Sequence, residues 1–439
     1  MTNKWLGIPI FAVIMFAVFW ISQAGLGAWI ADGLTALLQT AQSALESWIL
    51  TFGVSEFVRA LLIDGVVGGV IAVIGFLPLV MIMYFLIDLL EDCGYMARVS
   101  VVLDPIFKKV GLSGKSVIPF VIGTGCAVPG VMACRTIRNE RERRATVMLA
   151  PFMPCGAKLP VISLFAGTFF ANASWVGPLM YFSGIIIIFF AALLINQITG
   201  NKHKKSLFII ELPEYKLPSL LNAVKSMCAR GWEFIVKAAT IILVCNTAIQ
   251  LMQTFGWNLK LAETSDQSIL ATIATPFAYL IVPVVGVLSW ELAAAAITGF
   301  IAKENVVGTL AVCFGIENLI NSEELALIEG AGAEAAGIMA ITKVAALAYL
   351  MFNLFTPPCF AAIGAMNSEM KSAKWLLSGI ALQLCTGFTV SYLVYTIGTL
   401  IVNPSSFHVG GAIGGGIAVA VMAAIITALC VKGNKKAAK

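Results

Sequence analysis

Apolar residues along this chain fall in long unbroken runs, separated by short polar stretches. A helix needs about 20 apolar residues to cross a bilayer. Runs of that kind lie near 5–30, 66–90, 146–170, 176–198, 233–255, 340–366, 375–402 and 409–431, which predicts eight crossings. The first run, Trp5 to Ile30, is too long for the apolar core of a signal peptide and reads as a true span. Residues 33–60 are amphipathic and acidic and are expected at the membrane surface. Stretches 115–134 and 290–312 are apolar but rich in Gly, Pro and short side chains. Their flanks place both ends on one side, so they read as re-entrant hairpins, which survive at membrane depth only inside protein or along a cavity. The expected fold class is an all-α, polytopic integral membrane protein of about eight transmembrane helices plus two re-entrant hairpins.

Composition agrees. The chain is 59% hydrophobic and 12% charged, and no soluble core hides that much apolar surface. Lipid is therefore a partner; a soluble enzyme, a nucleic-acid binder and a disordered scaffold are excluded. The 10 cysteines lie mostly in apolar stretches without zinc-type spacing and read as free thiols. With the N-terminus inside, the net charge of +5 sorts by side. Lys4, Arg98, Lys108, Lys109, Lys115, the cluster at 135–144, Lys202, Lys204, Lys205, Lys216, Lys225, Arg230, Lys371, Lys374 and the "KGNKKAAK" tail fall inside; only Arg59 and Lys260 fall outside. The outer loop around 313–339 is acidic instead (Glu317, Glu323, Glu324, Glu329, Glu334). Cytoplasmic loops carry such a basic excess, so both termini are expected in the cytoplasm.

This layout exposes an inverted repeat. The 66–90 span, the 115–134 hairpin and the 146–198 spans form one half; the 233–255 span, the 290–312 hairpin and the 340–402 spans form the other. Ser113, Gly123 and Val131 align without gaps on Ser289, Gly299 and Val307. Each hairpin is followed by a span with a Pro-Cys step, Pro154-Cys155 and Pro358-Cys359. The expected parts are an N-terminal span and surface segment (1–60), a first repeat (61–200), a cytoplasmic connection (201–232), a second repeat (233–402) and a C-terminal span with basic tail (403–439). Inverted repeats with broken helices at the midplane mark secondary transporters; the plainer reading is that Gly and Pro loosen helix packing.

Candidate chemistry sits at the breaks. "GTGCAVPGV" places Cys126 among Gly123, Gly125 and Pro129; "APFMPCGAKLP" places Cys155 beside Met153 among Pro151, Pro154 and Pro160; "FTPPCFAA" places Cys359 after Pro357 and Pro358. Proline leaves carbonyls unpaired that a cation can satisfy. Three thiols at three breaks suit a soft or borderline ion such as Fe(II), Cu(I) or Zn(II), not ions that want all-oxygen shells. For any single cysteine, a small buried hydrophobe is the plain alternative, and Cys228, Cys245, Cys313, Cys385 and Cys430 read that way. In "GFIAKENVVGTL", Lys303 and Glu304 interrupt an apolar segment, where ionisable groups are costly and functional by default. Glu304 is the expected pathway carboxylate and Asn305 a carbonyl donor; pairing of Lys303 with Glu304 or a helix end is the alternative. Lys158 and Lys343 are expected to snorkel, or to pair with Asp88, Glu91 or Glu304. Glu91, Asp92 and Arg98 in "DLLEDCGYMAR" read as a structural or gating network. "GLSGKS" is no phosphate loop, since Lys109 stands where that pattern needs Gly. His203 and His408 lie in loops.

With "LEDCGYMAR", "GLSGKSVIPFVIGTGCAVPGVMACRT", "APFMPCGAKLP", "ELPEYKLPSL", "GFIAKENVVGTL" and "FTPPC" in that order, residues 55–402 resemble the membrane (Gate) domain of the ferrous iron transport protein B family, FeoB. The resemblance implies inward conduction of Fe(II) through two Gate regions, with pathway thiols at Cys126, Cys155 and Cys359 and the second Gate glutamate at Glu304. Departures are Ala127 where the family has Asn, "PCGAKLP" where it has a "SCSARLP"-like run, and no N-terminal GTPase segment. The expected function is transport of Fe(II) or a similar divalent metal into a prokaryotic cytoplasm across the cell membrane. Fe(II) is cargo, with no permanently bound cofactor and no enzymatic activity. Expected partners are a separate GTPase or small cytoplasmic accessory protein and a homo-oligomer. Alternatives are a carrier of nucleosides or other small organic solutes, and a metal-sensing membrane component.

Overall fold

The computed structural model describes residues 4–51, 59–170, 175–199, 216–236, 240–258, 265–315, 320–321, 326–327, 332–402, 404 and 409–437. Expectations for Lys202, His203, Lys204, Lys205, Lys260, Glu317, Glu323, Glu324, Glu329 and His408 lie outside these residues. The described chain is helical, apart from one antiparallel pair, β1 (Ile320–Asn321) with β2 (Ala326–Leu327). Seven described helices are long and apolar enough to cross a membrane, or eight if one pair bent by 99° counts as a single span. The all-α polytopic membrane fold is therefore the observed one.

Two compact units divide the chain. The first comprises Met1–Ala150, His203–Leu251 and Gly364–Lys371; the second comprises Pro151–Lys202, Met252–Ile363 and Ser372–Lys439.

In the first unit, α1 (Lys4–Phe19) runs through a π-helical turn into α2 (Leu26–Leu50). The expected surface segment at 33–60 thus begins as part of a helix that starts at Leu26. That helix presents Trp29, Leu37 and Trp48 outward, as a lipid-facing helix does. Ser22 in the turn donates to the Leu79 carbonyl of α3 (Gly68–Asp92) at 2.8 Å. Gly94, at φ 76°, turns the chain into α4 (Tyr95–Lys109), a conformation that glycine adopts without steric cost. The first hairpin follows as α5 (Val117–Gly125) and α6 (Ala127–Ala133). It packs on a core of Met15, Val18, Met83, Ile87 and Met96. Next comes α7 (Glu140–Leu149), capped by Asn139, whose side chain accepts from the Arg141 amide at 3.1 Å. The expected 233–255 crossing is interrupted by undescribed residues 237–239; its described parts are the end of α10 (Leu220–Phe234) and α11 (Thr240–Thr254).

The second unit opens with a 3-10 turn at Gly156–Lys158, then α8 (Leu159–Phe169) and α9 (Val176–Ile198). One helix here was not expected from the sequence: α12 (Ile269–Val285), with Pro276 and Pro283 inside it. It ends at Gly286, φ 80°, where a Cβ would lie 1.7 Å from the Tyr395 hydroxyl. The second hairpin is α13 (Trp290–Ile301) and α14 (Asn305–Phe314). After α15 (Gly332–Met339) come α16 (Lys343–Phe355), α17 (Phe360–Met370), whose residues from Gly364 on belong to the first unit, α18 (Ala373–Val402) and α19 (Val409–Ala437). Along α19, Ile413, Ile417, Val421, Ile425 and Leu429 are exposed at four-residue spacing, one lipid-facing stripe.

Candidate cation pathway

The two hairpins break alike. In the first, Cys126 is extended (φ −149°, ψ 135°) and its amide donates back to the Ile122 carbonyl at 3.2 Å. In the second, Ala302, aligned on Cys126 by the sequence echo, is extended (φ −147°, ψ 127°) and donates to the Thr298 carbonyl at 3.0 Å. A Cβ on Gly130 would lie 2.6 Å from the Gly123 Cα; one on the aligned Gly299 would lie 2.6 Å from Val306 Cγ2. The same aligned positions touch across each hairpin, so the repeat is carried by backbone packing as well as by sequence.

The Pro-Cys spans break for reasons visible residue by residue. The last helical amide of α16 is that of Thr356, which donates to the Phe352 carbonyl at 3.0 Å. The carbonyls of Asn353 and Leu354 would be served next, by residues four further on. Those residues are Pro357 and Pro358, which have no N–H. Both carbonyls are taken by lysine. Lys303 donates to the Asn353 carbonyl at 3.1 Å and to the Thr356 hydroxyl at 3.2 Å. Lys158 donates to the Leu354 carbonyl at 2.8 Å. It also reaches the Pro151 carbonyl at 3.0 Å, an acceptor that Pro154, three residues on, cannot serve. Both lysines are buried, and the Lys303 ammonium stands 5.5 Å from the Phe300 ring centre. Lys158 therefore neither snorkels nor pairs with an acid, and Lys303 follows its helix-end alternative.

Cys126, Cys155, Cys359, Glu304 and Asn305 sit at or beside the start of a helix or turn. Cys126 precedes α6, and Glu304 caps α14. Cys155 precedes the Gly156–Lys158 turn, and its carbonyl accepts from the Lys158 amide at 2.9 Å. The Cys359 carbonyl accepts from Ile363 at 3.0 Å in the first turn of α17. Within the second unit, Cys155, Cys359, Lys158 and Lys303 lie within electrostatic reach of one another, and Glu304 within reach of Cys359. Met153 is buried two residues from Cys155, and Asn305 opens α14 next to Glu304. Cys126 belongs to the first unit, as does Pro129, which lies in the first turn of α6. A proline there forfeits no helical bond. Among the described residues, no three His, Cys, Asp or Glu side chains stand close enough to hold one metal ion. Cys228, expected to be buried, is exposed.

The charged stretch at the end of α3 also involves Arg230 of α10. Arg230 pairs with Asp88 at 2.9 Å and with Glu91 at 3.6 Å. Arg98 is buried and donates to the Gly94 carbonyl at 2.9 Å, and Asp92 is the last residue of α3. Arg135 pairs with the buried Glu369, and neither residue had been singled out. Asn353 and Thr356 were missed too. The legible signal was the Pro357-Pro358 pair, which names the orphaned carbonyls by counting back four.

Burial ranks the spans. In their apolar windows, 72% of Glu140–Phe169 and 78% of Lys343–Met370 are buried, against 6% to 33% in the other long spans. The two Pro-Cys spans are the enclosed ones, as broken helices at membrane depth have to be.

Comparison with known proteins is consistent with this geometry. The Gate family, described as "Nucleoside recognition", matches residues 73–169 and 235–373, and the family described as "Ferrous iron transport protein B C terminus" matches 178–230. The Fe(2+) transporter FeoB of Staphylococcus aureus (strain COL) is 34% identical over 92% of this chain and 59% of its own length. The Fe(2+) transporter FeoB of Methanocaldococcus jannaschii is 33% identical over 79% of this chain and 51% of its own. A Fe(2+) transport protein A/FeoB fusion protein of Porphyromonas gingivalis is 32% identical over 91% of this chain and 51% of its own. The chain thus spans about three-fifths of the Staphylococcus relative's length and half of the other two. No solved structure matches it. The chain belongs to the Gate family, as a membrane domain of the FeoB type.

Proposed function

We propose that this chain carries Fe(II), or a similar divalent transition metal, across a prokaryotic cell membrane into the cytoplasm. The observation that carries the reading is the gathering of Cys155, Cys359 and Glu304 at helix breaks of one unit, within electrostatic reach. Thiols suit borderline and soft ions, and helix-break carbonyls supply oxygen donors. In this reading the metal sheds water stepwise, meeting Cys155, Cys359 and Glu304 in turn and not as one cage, since among the described residues no three such side chains stand close enough to hold one ion, with Met153 and Asn305 as further donors. Inward movement of two positive charges through ~100 mV releases about 4.6 kcal/mol, at about 2.3 per charge. Regulation then falls to a GTPase or a small accessory protein; one relative is a fusion of an Fe(2+) transport protein A with the transporter in one chain.

The test is uptake by purified protein in liposomes, with Fe(II), Mn(II), Zn(II) and a radiolabelled nucleoside in competition. Fe(II) flux that disappears in a Cys126→Ser/Cys155→Ser/Cys359→Ser variant supports the thiol route, and unchanged flux rejects it. Nucleoside flux in place of metal flux would establish the second reading, which the description of the Gate family favours.

A further inference from the structure

We propose that Lys158 and Lys303 are tethered cations that occupy an all-oxygen site at the helix breaks and so close the pathway to alkali-metal ions. This rests on the reading of the second unit as a cation route.

Four oxygens converge on two ammonium groups. They are the carbonyls of Pro151, Asn353 and Leu354 and the hydroxyl of Thr356. Three of the four are backbone carbonyls without a helical partner, two of them because Pro357 and Pro358 lack an N–H. Carbonyls of unwound helices are the donors with which transporters hold Na⁺, and hard ions want all-oxygen shells. Left alone, this cluster would attract Na⁺ or K⁺. The cellular excess of those ions over any transition metal would then fill it.

The lysines remove that option. Each ammonium lies 2.8–3.2 Å from two of the oxygens, about the distance of a charge-assisted hydrogen bond. The space they share, lined also by Val161, Leu350 and Asn353, is about 10 Å³, room for no more than about one water. A second cation has neither space nor a free donor set there. The ammonium groups cannot leave with the flux, because four-carbon stems hold them. The thiols of Cys155 and Cys359 lie outside this hydrogen-bonded set, so donors that suit a borderline metal stay available while donors that suit alkali ions are covered. Selectivity then comes from occupying the wrong site as much as from building the right one.

The experiment replaces both cations by an apolar chain of similar length, Lys158→Met/Lys303→Met, and measures Tl⁺ flux, a K⁺ surrogate, into liposomes. Wild type is expected to exclude Tl⁺, and the double variant to admit it at least tenfold faster. Adding Pro357→Ala/Pro358→Ala returns an amide donor to each of the Asn353 and Leu354 carbonyls and is expected to suppress the leak. A folded double variant that excludes Tl⁺ as wild type does would overturn the proposal. If the double variant folds poorly, its yield is compared in K⁺ and in N-methylglucamine. Rescue by K⁺ supports an alkali site, and equal failure in both salts counts against it. Absence of Fe(II) flux in wild-type vesicles would reject the metal route, while the Tl⁺ comparison would still decide the role of the lysines.

Discussion

The ammonium of Lys158 lies 2.8 Å from the carbonyl oxygen of Leu354, the one acceptor that Pro358 is unable to serve. A single side chain thereby reaches two breaks, since its other acceptor is Pro151. Loss of the ammonium strands two buried carbonyls, at about 1–3 kcal/mol each. Lys158→Met is therefore expected to lower the melting temperature in detergent clearly. Pro358→Ala in the same chain should return part of the loss. Additive losses from the two changes would show that the lysine acts elsewhere.

Cys155 and Cys359 are expected to set metal preference. Serine in both places removes the donors that suit Fe(II) and leaves oxygen donors that suit Mn(II). Fe(II) uptake should fall at least tenfold while Mn(II) uptake falls less. Cys228→Ser, on an exposed position, should change neither. Equal losses for both metals would point to a packing role for the two thiols.

Glu304 caps α14 beside Lys303 without making a cap hydrogen bond through its side chain. Glu304→Gln keeps its shape and removes its charge. Fe(II) flux should drop about tenfold or more with the melting temperature nearly unchanged. A large fall in stability with normal flux per folded molecule would reassign the residue to structure.

Gly387 lets α18 lie against the second break. A Cβ there would stand 2.9 Å from the Thr356 amide nitrogen and 3.1 Å from the Phe355 carbonyl carbon. Backbone cannot move aside as a side-chain tip can, so Gly387→Val should cost about 1–3 kcal/mol as overpacking and slow uptake. Gly414→Ala, with open space around it, should leave both unchanged. Melting curves of the two variants settle the comparison.

In the first unit, Arg230 holds the buried carboxylate of Asp88. Arg230→Ala leaves that carboxylate without a cation, with its Ser226 hydrogen bond remaining, and should destabilise by about 1–3 kcal/mol; Asp88→Asn/Arg230→Ala should recover part of this. No recovery in the double variant would mean that the pair is incidental.

What the sequence made legible was local. Gly123 and Gly299 announced the hairpins, and Pro154 and Pro358 announced the breaks, because these residues act on their own backbone. The acceptor of Lys158 was not legible: Leu354 is 196 residues away, and an ammonium can be served equally by an acid or a carbonyl. Helix α12 was not among the expected spans: at 17 residues it falls short of the about 20 apolar residues that mark a crossing, and its Pro276 and Pro283 do not interrupt it. Helix α2 runs from Leu26 into the segment expected at the membrane surface, and the outward direction of Leu37 and Trp48 appears only once that helix is folded.

The contrast between enclosed broken spans and the bare outer stripe of α19 separates two duties. Ile413 through Leu429 meet the acyl chains, so mismatch between protein and bilayer thickness is absorbed there by tilt at a modest cost. Lys343–Met370 meets little lipid. A change of membrane composition should therefore retune the anchoring of this protein while leaving its enclosed helix breaks much as they were.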